Sequence, residues 1–387
     1  MRILHTADWH LGRILHGVHL TDDQAHVLEQ LVALAREFRP DLVVIAGDVY
    51  DRAVPPQEAV ALLDEVLTRL CGELRLPVVL TAGNHDSPER LAFGARLLAG
   101  QRLHVVGGIG PEPRPLRFED RHGAVEVWAL PFLDPLRVRH ALDDEAVRDQ
   151  PQALAAVLAR VRAARDPARR SVLVAHAAVL GCETSESERP LAIGGAETVP
   201  ASLLAGFDYV ALGHLHRPQG VDGAAIRYAG SLLKYSFSEI GHEKSVTLVE
   251  MDGAGACRME AVALAPRRDL RRIEGTLAEL ERGAAGDPRR DDYVVARLLD
   301  PGPVLDAMGR LRRVYPNVLH IERPILDAPA GEGLAASAPA GRLGDEALFA
   351  AFFEQVTGAP LDEAGRRLLA EVLEALERRR RGEEDAA

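Results

Sequence analysis

Apolar positions along this chain alternate between short buried runs and helical spacing. Ile3 to Ala7 reads as a strand, and Thr21 to Phe38 places Val27, Leu28, Leu31, Val32, Ala35 and Phe38 on one helical face. Leu42 to Ala46 is a second strand; Val60, Leu63, Val66, Leu67 and Leu70 return to helical spacing, and Pro77 to Thr81 closes a third strand. Further strands are predicted at Leu103 to Val106, Val125 to Leu130, Ser171 to Ala175, Tyr209 to Leu212, Ile226 to Ala229 and Ser245 to Glu250. Such alternation predicts an α/β fold, and the scarcity of helices in the second half predicts two sheets face to face with helices outside.

Beyond about residue 266 the pattern restarts on a smaller scale. Arg271 to Glu274 reads as extended, Leu277 to Glu281 as helical, Tyr293 to Leu298 as a strand, Val304 to Val314 as helical and Val318 to Glu322 as a strand. Residues 328 to 341 carry no apolar periodicity and read as a flexible linker. Two amphipathic helices are predicted after it. Leu348, Phe349, Phe352, Phe353 and Val356 mark the first, which stops at Gly358; Leu368, Leu369, Val372, Leu373 and Leu376 mark the second, capped by Asp362.

Composition narrows the function only modestly. The 387 residues are 47% hydrophobic, ordinary for a globular protein, and no apolar run approaches the ~18 residues of a membrane span. The opening residues lack a signal-peptide core, so a cytoplasmic location is expected. Cys71, Cys182 and Cys257 are scattered without metal or redox spacing. Neither Lys234 nor Lys244 follows a glycine, which excludes a Walker-type phosphate loop. The net charge of -12 opposes a nucleic-acid partner at first sight. Its distribution softens the conflict: residues 267 to 323 hold 12 Arg against 10 acids, and acids that bind cations reverse the local field. Arg267, Arg268, Arg271, Arg272, Arg289, Arg290, Arg310, Arg312 and Arg313 could touch phosphates, although a solvated charged face is commoner.

The chemistry concentrates at strand ends, where open α/β sheets place their sites. Asp8 and His10 follow the first strand, and residues two apart in extended chain point the same way. The second strand runs into Gly47-Asp48-Val49-Tyr50-Asp51, where Asp48 offers two oxygens to two ions. Later strands end in Gly83-Asn84-His85-Asp86, in His176 and in Gly213-His214-Leu215-His216. Each motif alone is as well explained by turn chemistry or a helix cap. Together they form a ligand set of carboxylate, carboxamide and imidazole without thiolate, which suits two Mn2+ ions, with Mg2+ or Fe2+ as alternatives. Two such ions about 3.5 to 4 Å apart could clamp the oxygens of a displacement at phosphorus. His85 is left over for the substrate side, as a transition-state stabiliser or a proton donor, and Asp51 could orient it by hydrogen bonding.

This ordered set resembles the calcineurin-like metallophosphatase superfamily. Met1-Arg2-Ile3-Leu4-His5-Thr6-Ala7-Asp8-Trp9-His10-Leu11-Gly12, together with Ala211 to Gln219 and Gly230 to Phe237, resembles more narrowly the SbcD family of Mre-type nucleases. The resemblance implies a four-layer α/β/β/α sandwich with a small α+β capping domain and C-terminal helices. On that reading residues 1–266 form the nuclease domain, 267–326 the capping domain, 327–342 a linker and 343–387 a helical segment that docks onto the ATPase SbcC. It implies that Asp8, His10, Asp48 and His216 hold one ion while Asp48, Asn84, His176 and His214 hold the other. Position 51 departs from archaeal relatives, which carry histidine there, and Asp51 follows the bacterial branch. The family further implies Mn2+-dependent exonuclease action on duplex ends, endonuclease action on hairpins and single strands, and roles in DNA repair, recombination and replication. It also implies a homodimer of the nuclease within a heterotetramer, associated with the nucleoid. Two other readings stay open: a phosphatase or phosphodiesterase of smaller substrates, and a non-catalytic scaffold protein.

Overall fold

Leu42-Val43-Val44-Ile45-Ala46 has no polar position on either face, and in the computed structural model of the chain all five residues are buried in a strand paired on both sides. The structure describes every residue except 190–196, 224, 302–303, 325–344, 358 and 381–387. Two small separate ladders aside, the strands in chain order are β1 (Arg2–Thr6), β2 (Leu42–Ala46), β3 (Val78–Thr81), β4 (Leu103–Val106), β5 (Leu116–Asp120), β6 (Gly123–Ala129), β7 (Arg170–His176), β8 (Tyr209–Gly213), β9 (Gln219–Gly220), β10 (Ile226–Tyr228), β11 (Ser245–Met251), β12 (Cys257–Ala263), β13 (Leu270–Gly275), β14 (Tyr293–Leu298) and β15 (Val318–Glu322).

Twelve of them make two six-stranded sheets, in the orders β12-β11-β1-β2-β3-β4 and β9-β10-β8-β7-β6-β5. The central strands β1 to β4 of the first sheet run parallel, as do β6, β7, β8 and β10 of the second. Strand alternation then assigns the faces. Val172 and Val174 point into a shared core with Ile3, Val44, Ala46 and Ala211, drawn from both sheets. Leu173 and Ala175 point the other way, onto Leu154, Val157, Leu158 and Val161 of the helix Gln150–Ala164. The helix Thr21–Phe38 buries Val27, Leu28, Leu31, Val32 and Ala35, as its spacing predicts. The fold is therefore the predicted sandwich of two sheets with helices.

Besides short two- to four-residue pieces, four longer elements went unread in the sequence. The edge strand β12 is mostly exposed and holds its place by a seven-residue antiparallel register with β11, so no burial pattern marks it. β5 is likewise an edge strand. The helices Pro135–Leu142 and Gln150–Ala164 did carry start signals, since Asp134 and Asp149 accept the backbone N–H of Arg137 and Gln152 at 3.0 and 2.9 Å.

The chain divides into two units, Met1–Leu270 and Arg271–Ala387. In the second, β13, β14 and β15 form a three-stranded sheet, and Leu277, Leu280, Val294, Ala296, Leu311 and Val318 make its own core. A capping box between Thr276 and Glu279 starts the helix Leu277–Gly283. The helix read over 304–314 is shorter, Ala307–Arg312, because Asp306 caps it by accepting from Gly309 N. The linker read over 327–342 lies outside the described residues. The two terminal helices are Asp345–Thr357 and Glu363–Arg380, and Asp362 Oδ1 caps the second through Gly365 N at 2.7 Å. No helix among the described residues is long and apolar enough to cross a membrane.

Much of the arginine face is engaged internally. Arg271 pairs with Asp287 and Asp292, Arg272 with Glu322 and Arg310 with Glu281, all inside the second unit. Arg268 pairs with Asp23 inside the first. Arg290, Arg312 and Arg313 remain as exposed side chains.

Candidate metal centre

The strand ends bend back sharply. Asp8, His10, Asp48 and His214 account for four of the eleven described non-glycine residues at positive φ, with values of 53°, 46°, 49° and 104°. Each such residue costs about 1–3 kcal/mol and persists only where its surroundings dictate it. Those surroundings are visible. Asp8 N and His10 N donate to the carbonyls of Gly47 and Asp48 at 3.1 and 3.0 Å, tying the first loop to the second. Asp86 accepts from Val49 N, Tyr50 N and Gly83 N, tying the second to the third. Gln24 Nε2 donates to the carbonyls of Trp9 and His10. Glycine is required at two of the turns, because a Cβ on Gly83 would lie 2.1 Å from Asp48 Oδ1 and one on Gly213 1.8 Å from the Ala46 carbonyl.

The bends bring the strand-end residues together. Asp8, His10 and His216 form one buried group whose ligand atoms lie within 4.8 Å of one another, and Asp48, His176 and His214 form another. His10 Nε2 faces His216 Nε2 at 3.0 Å. Asn84 Oδ1 joins the second group, 2.9 Å from His176 Nε2 and 3.2 Å from His214 Nδ1. Asp48 Oδ2 reaches both groups, at 3.3 Å from His176 Nε2 and 3.7 Å from His10 Nε2. Hence all seven side chains read as ligands stand around one point.

His85 and Asp51 lie beside them with His10. The hydrogen bond expected between them is present, made by the main chain: His85 Nδ1 donates to the backbone carbonyl of Asp51 at 2.9 Å. The Asp51 carboxylate instead accepts from Arg13 Nη1 at 2.8 Å and stands 3.8 Å from His10 Nδ1.

The donor set fits divalent cations. His176 Nδ1 lies 3.0 Å from the Ala46 carbonyl, which can only accept, so that nitrogen carries the proton of the neutral ring. In that tautomer the Nε2 lone pair, beside Asn84 Oδ1 at 2.9 Å, is free to serve a cation. Burial holds His10 and His214 well below the usual imidazole range, leaving them neutral with lone pairs to offer. Burial likewise pushes Asp8 up to about 7. For His176 burial works downward, but the Asp48 carboxylate overrides it and raises the ring to about 9. In the cation-free chain a proton therefore sits where the cation belongs.

Loading a divalent cation must expel that proton, so affinity for an ion such as Mn2+ is expected to rise with pH by about tenfold per unit for each ligand still protonated. The rise is steepest below about 7, where Asp8 and His176 both hold protons, and ends above about 9. Calorimetric titration of the cation-free chain across pH checks this, and a flat profile would contradict it.

Several residues of the centre escaped the sequence reading. Asp86 was seen only as part of a turn, Gln24 not at all, and neither was Glu188, whose Oε1 accepts from His216 N at 2.7 Å. A buried glutamine within the polar first turn of a helix, two residues after Asp22, gave no pattern that would single it out.

Comparison with known proteins agrees with this geometry. Residues 1–218 match the calcineurin-like phosphoesterase family, and residues 266–357 match the Type 5 capsule protein repressor C-terminal domain. The SbcD subunit of the nuclease SbcCD from Staphylococcus epidermidis is 34% identical over 84% of this chain and 86% of its own length. Its counterpart in Staphylococcus saprophyticus is 33% identical over 97% and 98%. A solved dimetal phosphatase from Danio rerio is far more distant, at 15% identity and a TM-score of 0.41 over 69% of this chain and 97% of that one. The chain belongs to the calcineurin-like phosphoesterases, hydrolases of phosphoester bonds, and within them to the SbcD family of SbcCD nuclease subunits.

Proposed function

We propose that this chain is a Mn2+-dependent DNA nuclease that cuts duplex ends and hairpins as the partner of the ATPase SbcC. The observation that carries the reading is the buried meeting of Asp8, His10 and His216 with Asp48, His176 and His214 around a single carboxylate. Asp8, His10, Asp48 and His216 would hold one ion, and Asp48, Asn84, His176 and His214 the other. Such a pair supplies Lewis-acid charge for a phosphoryl oxygen and a water that loses its proton near neutral pH. The chain's own residues do the rest. Burial works against the charge of Asp48, but His176, by its charge and its hydrogen bond, holds the carboxyl well below its usual range. His85 is anchored through Nδ1 to Asp51, which directs Nε2 toward the centre, 3.9 Å from Asp48 Oδ2. Burial lowers its affinity for a proton, so the ring gains one only beside an anionic phosphate and gives it readily to a departing oxygen. Asp51 serves through its carbonyl and through Arg13.

The modules follow the family reading: residues 1–266 cut, 267–326 position the duplex through Arg290, Arg312 and Arg313, and 343–387 dock onto SbcC. A homodimer is supported by an apolar groove in the first unit, lined by Val54, Val60, Leu63, Leu67 and Phe93, the last 86% exposed. The chain's work lies in the cytoplasm, at the nucleoid.

End-labelled linear duplex, end-labelled hairpin and a chromogenic phosphomonoester, each offered with Mn2+, Mg2+ or Fe2+ and with or without SbcC and ATP, test the proposal. Diester cleavage favouring Mn2+ is expected. Phosphomonoester hydrolysis without DNA cleavage would replace it with a small-substrate phosphatase.

A further inference from the structure

Behind the His216 ring runs a line of buried polar groups that the chemistry above leaves unused. Ser187 Oγ stands 2.7 Å from His216 Nδ1 and 2.5 Å from Glu239 Oε1. A carboxylate only accepts, so the Ser187 hydroxyl donates to Glu239 and its oxygen accepts the Nδ1–H of His216. On the far side Lys244 Nζ donates to Glu239 Oε2 at 2.6 Å, and to Ser231 Oγ and the His216 carbonyl at 2.8 Å each. The Glu239 and Lys244 side chains are 0% and 4% exposed. Stability alone does not account for them, because a buried ion pair is often no better than well-packed apolar residues of the same volume. The two ligand groups also differ. His176 rests its Nδ1 on a neutral backbone carbonyl, whereas the His216 Nδ1 faces the Glu239 carboxylate, directly at 3.3 Å and through the Ser187 hydroxyl.

We infer that Glu239 and Ser187 are positioning residues that lock His216 with its proton on Nδ1 and its Nε2 lone pair turned toward His10 and Asp8. They thereby set the affinity of that half of the centre for its cation. Lys244 keeps Glu239 in place and ties it to the backbone of the residue it serves. An anionic partner strengthens an imidazole as a ligand, and losing such a partner typically weakens metal affinity by about 10- to 100-fold. The inference rests on the two-cation reading of the site.

The test uses the full chain, wild type and the variants Ser187→Ala and Glu239→Gln, freed of metal and titrated with Mn2+ by calorimetry and electron paramagnetic resonance. The wild type is expected to take up two ions with an exchange-coupled signal. Each variant should hold one ion normally and the other about 10- to 100-fold more weakly, with the coupled signal giving way to that of a single Mn2+. A merely structural role would lower the melting temperature of the metal-free chain without changing that signal. Should Glu239→Gln fail to fold, the double variant Glu239→Gln with Lys244→Met, which removes the buried pair together, takes its place, since Ser187→Ala alone leaves Glu239 Oε1 3.3 Å from His216 Nδ1. Variants that bind two ions as tightly as the wild type overturn the relay and leave the two-cation reading standing. A wild type that binds fewer than two overturns that reading itself.

Discussion

Replacing Asp48 by alanine is expected to reduce cleavage of linear duplex DNA in Mn2+ by at least about a thousandfold, equivalent to roughly 4 kcal/mol of transition-state stabilisation. One of its carboxylate oxygens lies 3.3, 3.7 and 3.9 Å from the Nε2 atoms of His176, His10 and His85, and the other accepts the His85 backbone N–H at 2.8 Å. No neighbour can take over both duties. The backbone at this position is left-handed, φ 49°, which alanine tolerates less well than asparagine. Asp48→Asn therefore separates chemistry from folding: it keeps the turn and the volume but removes the charge. Circular dichroism of both variants, beside cleavage of end-labelled DNA, makes the measurement, and undiminished cleavage by folded Asp48→Asn would remove this carboxylate from the mechanism.

Deleting residues 343–387 is expected to abolish co-purification with SbcC while sparing cleavage by the isolated nuclease. Leu348, Phe349, Phe352, Leu368, Val372 and Leu376 on the two terminal helices are between 42% and 62% exposed, an apolar surface that water covers at a cost. Helices of this kind commonly bury such a face in a partner's groove. Point changes refine the test: Leu368→Glu with Val372→Glu should weaken the complex by on the order of 10^2- to 10^3-fold, taking about 2 kcal/mol for each anchor lost. A complex that survives the deletion would place the interface on another surface.

The clustering of the candidate ligands was legible because a strand end is a local signal. Apolar runs such as Leu42–Ala46 announce a buried strand, and the polar residues that follow must emerge at one edge of the sheet. The supports of those ligands were not legible. Glu239 meets Ser187 across 52 residues of sequence, and Gln24 meets Tyr235 across 211, so no spacing rule joins them. Which Asp51 atom holds His85 was not legible for a related reason. A motif names side chains, but His85 rests on a main-chain oxygen, which every residue possesses and no pattern can single out. Edge strands such as Cys257–Ala263 escaped because half-exposed residues obey no alternation strict enough to detect.

The proposed ligands divide by origin: Asp8, His10, Asp48 and Asn84 leave the first sheet, while His176, His214 and His216 leave the second. Small residues fill the interval just beneath them, with Ala7 and Ala46 on one side and Ala211 and Ala229 on the other. Close packing there limits how large a side chain the interval between the sheets can take. Enlarging it by one isobutyl group, as in Ala211→Leu, would wedge the sheets apart and pull the two halves of the coordination sphere out of mutual reach, so that a substitution touching no ligand would disarm the enzyme.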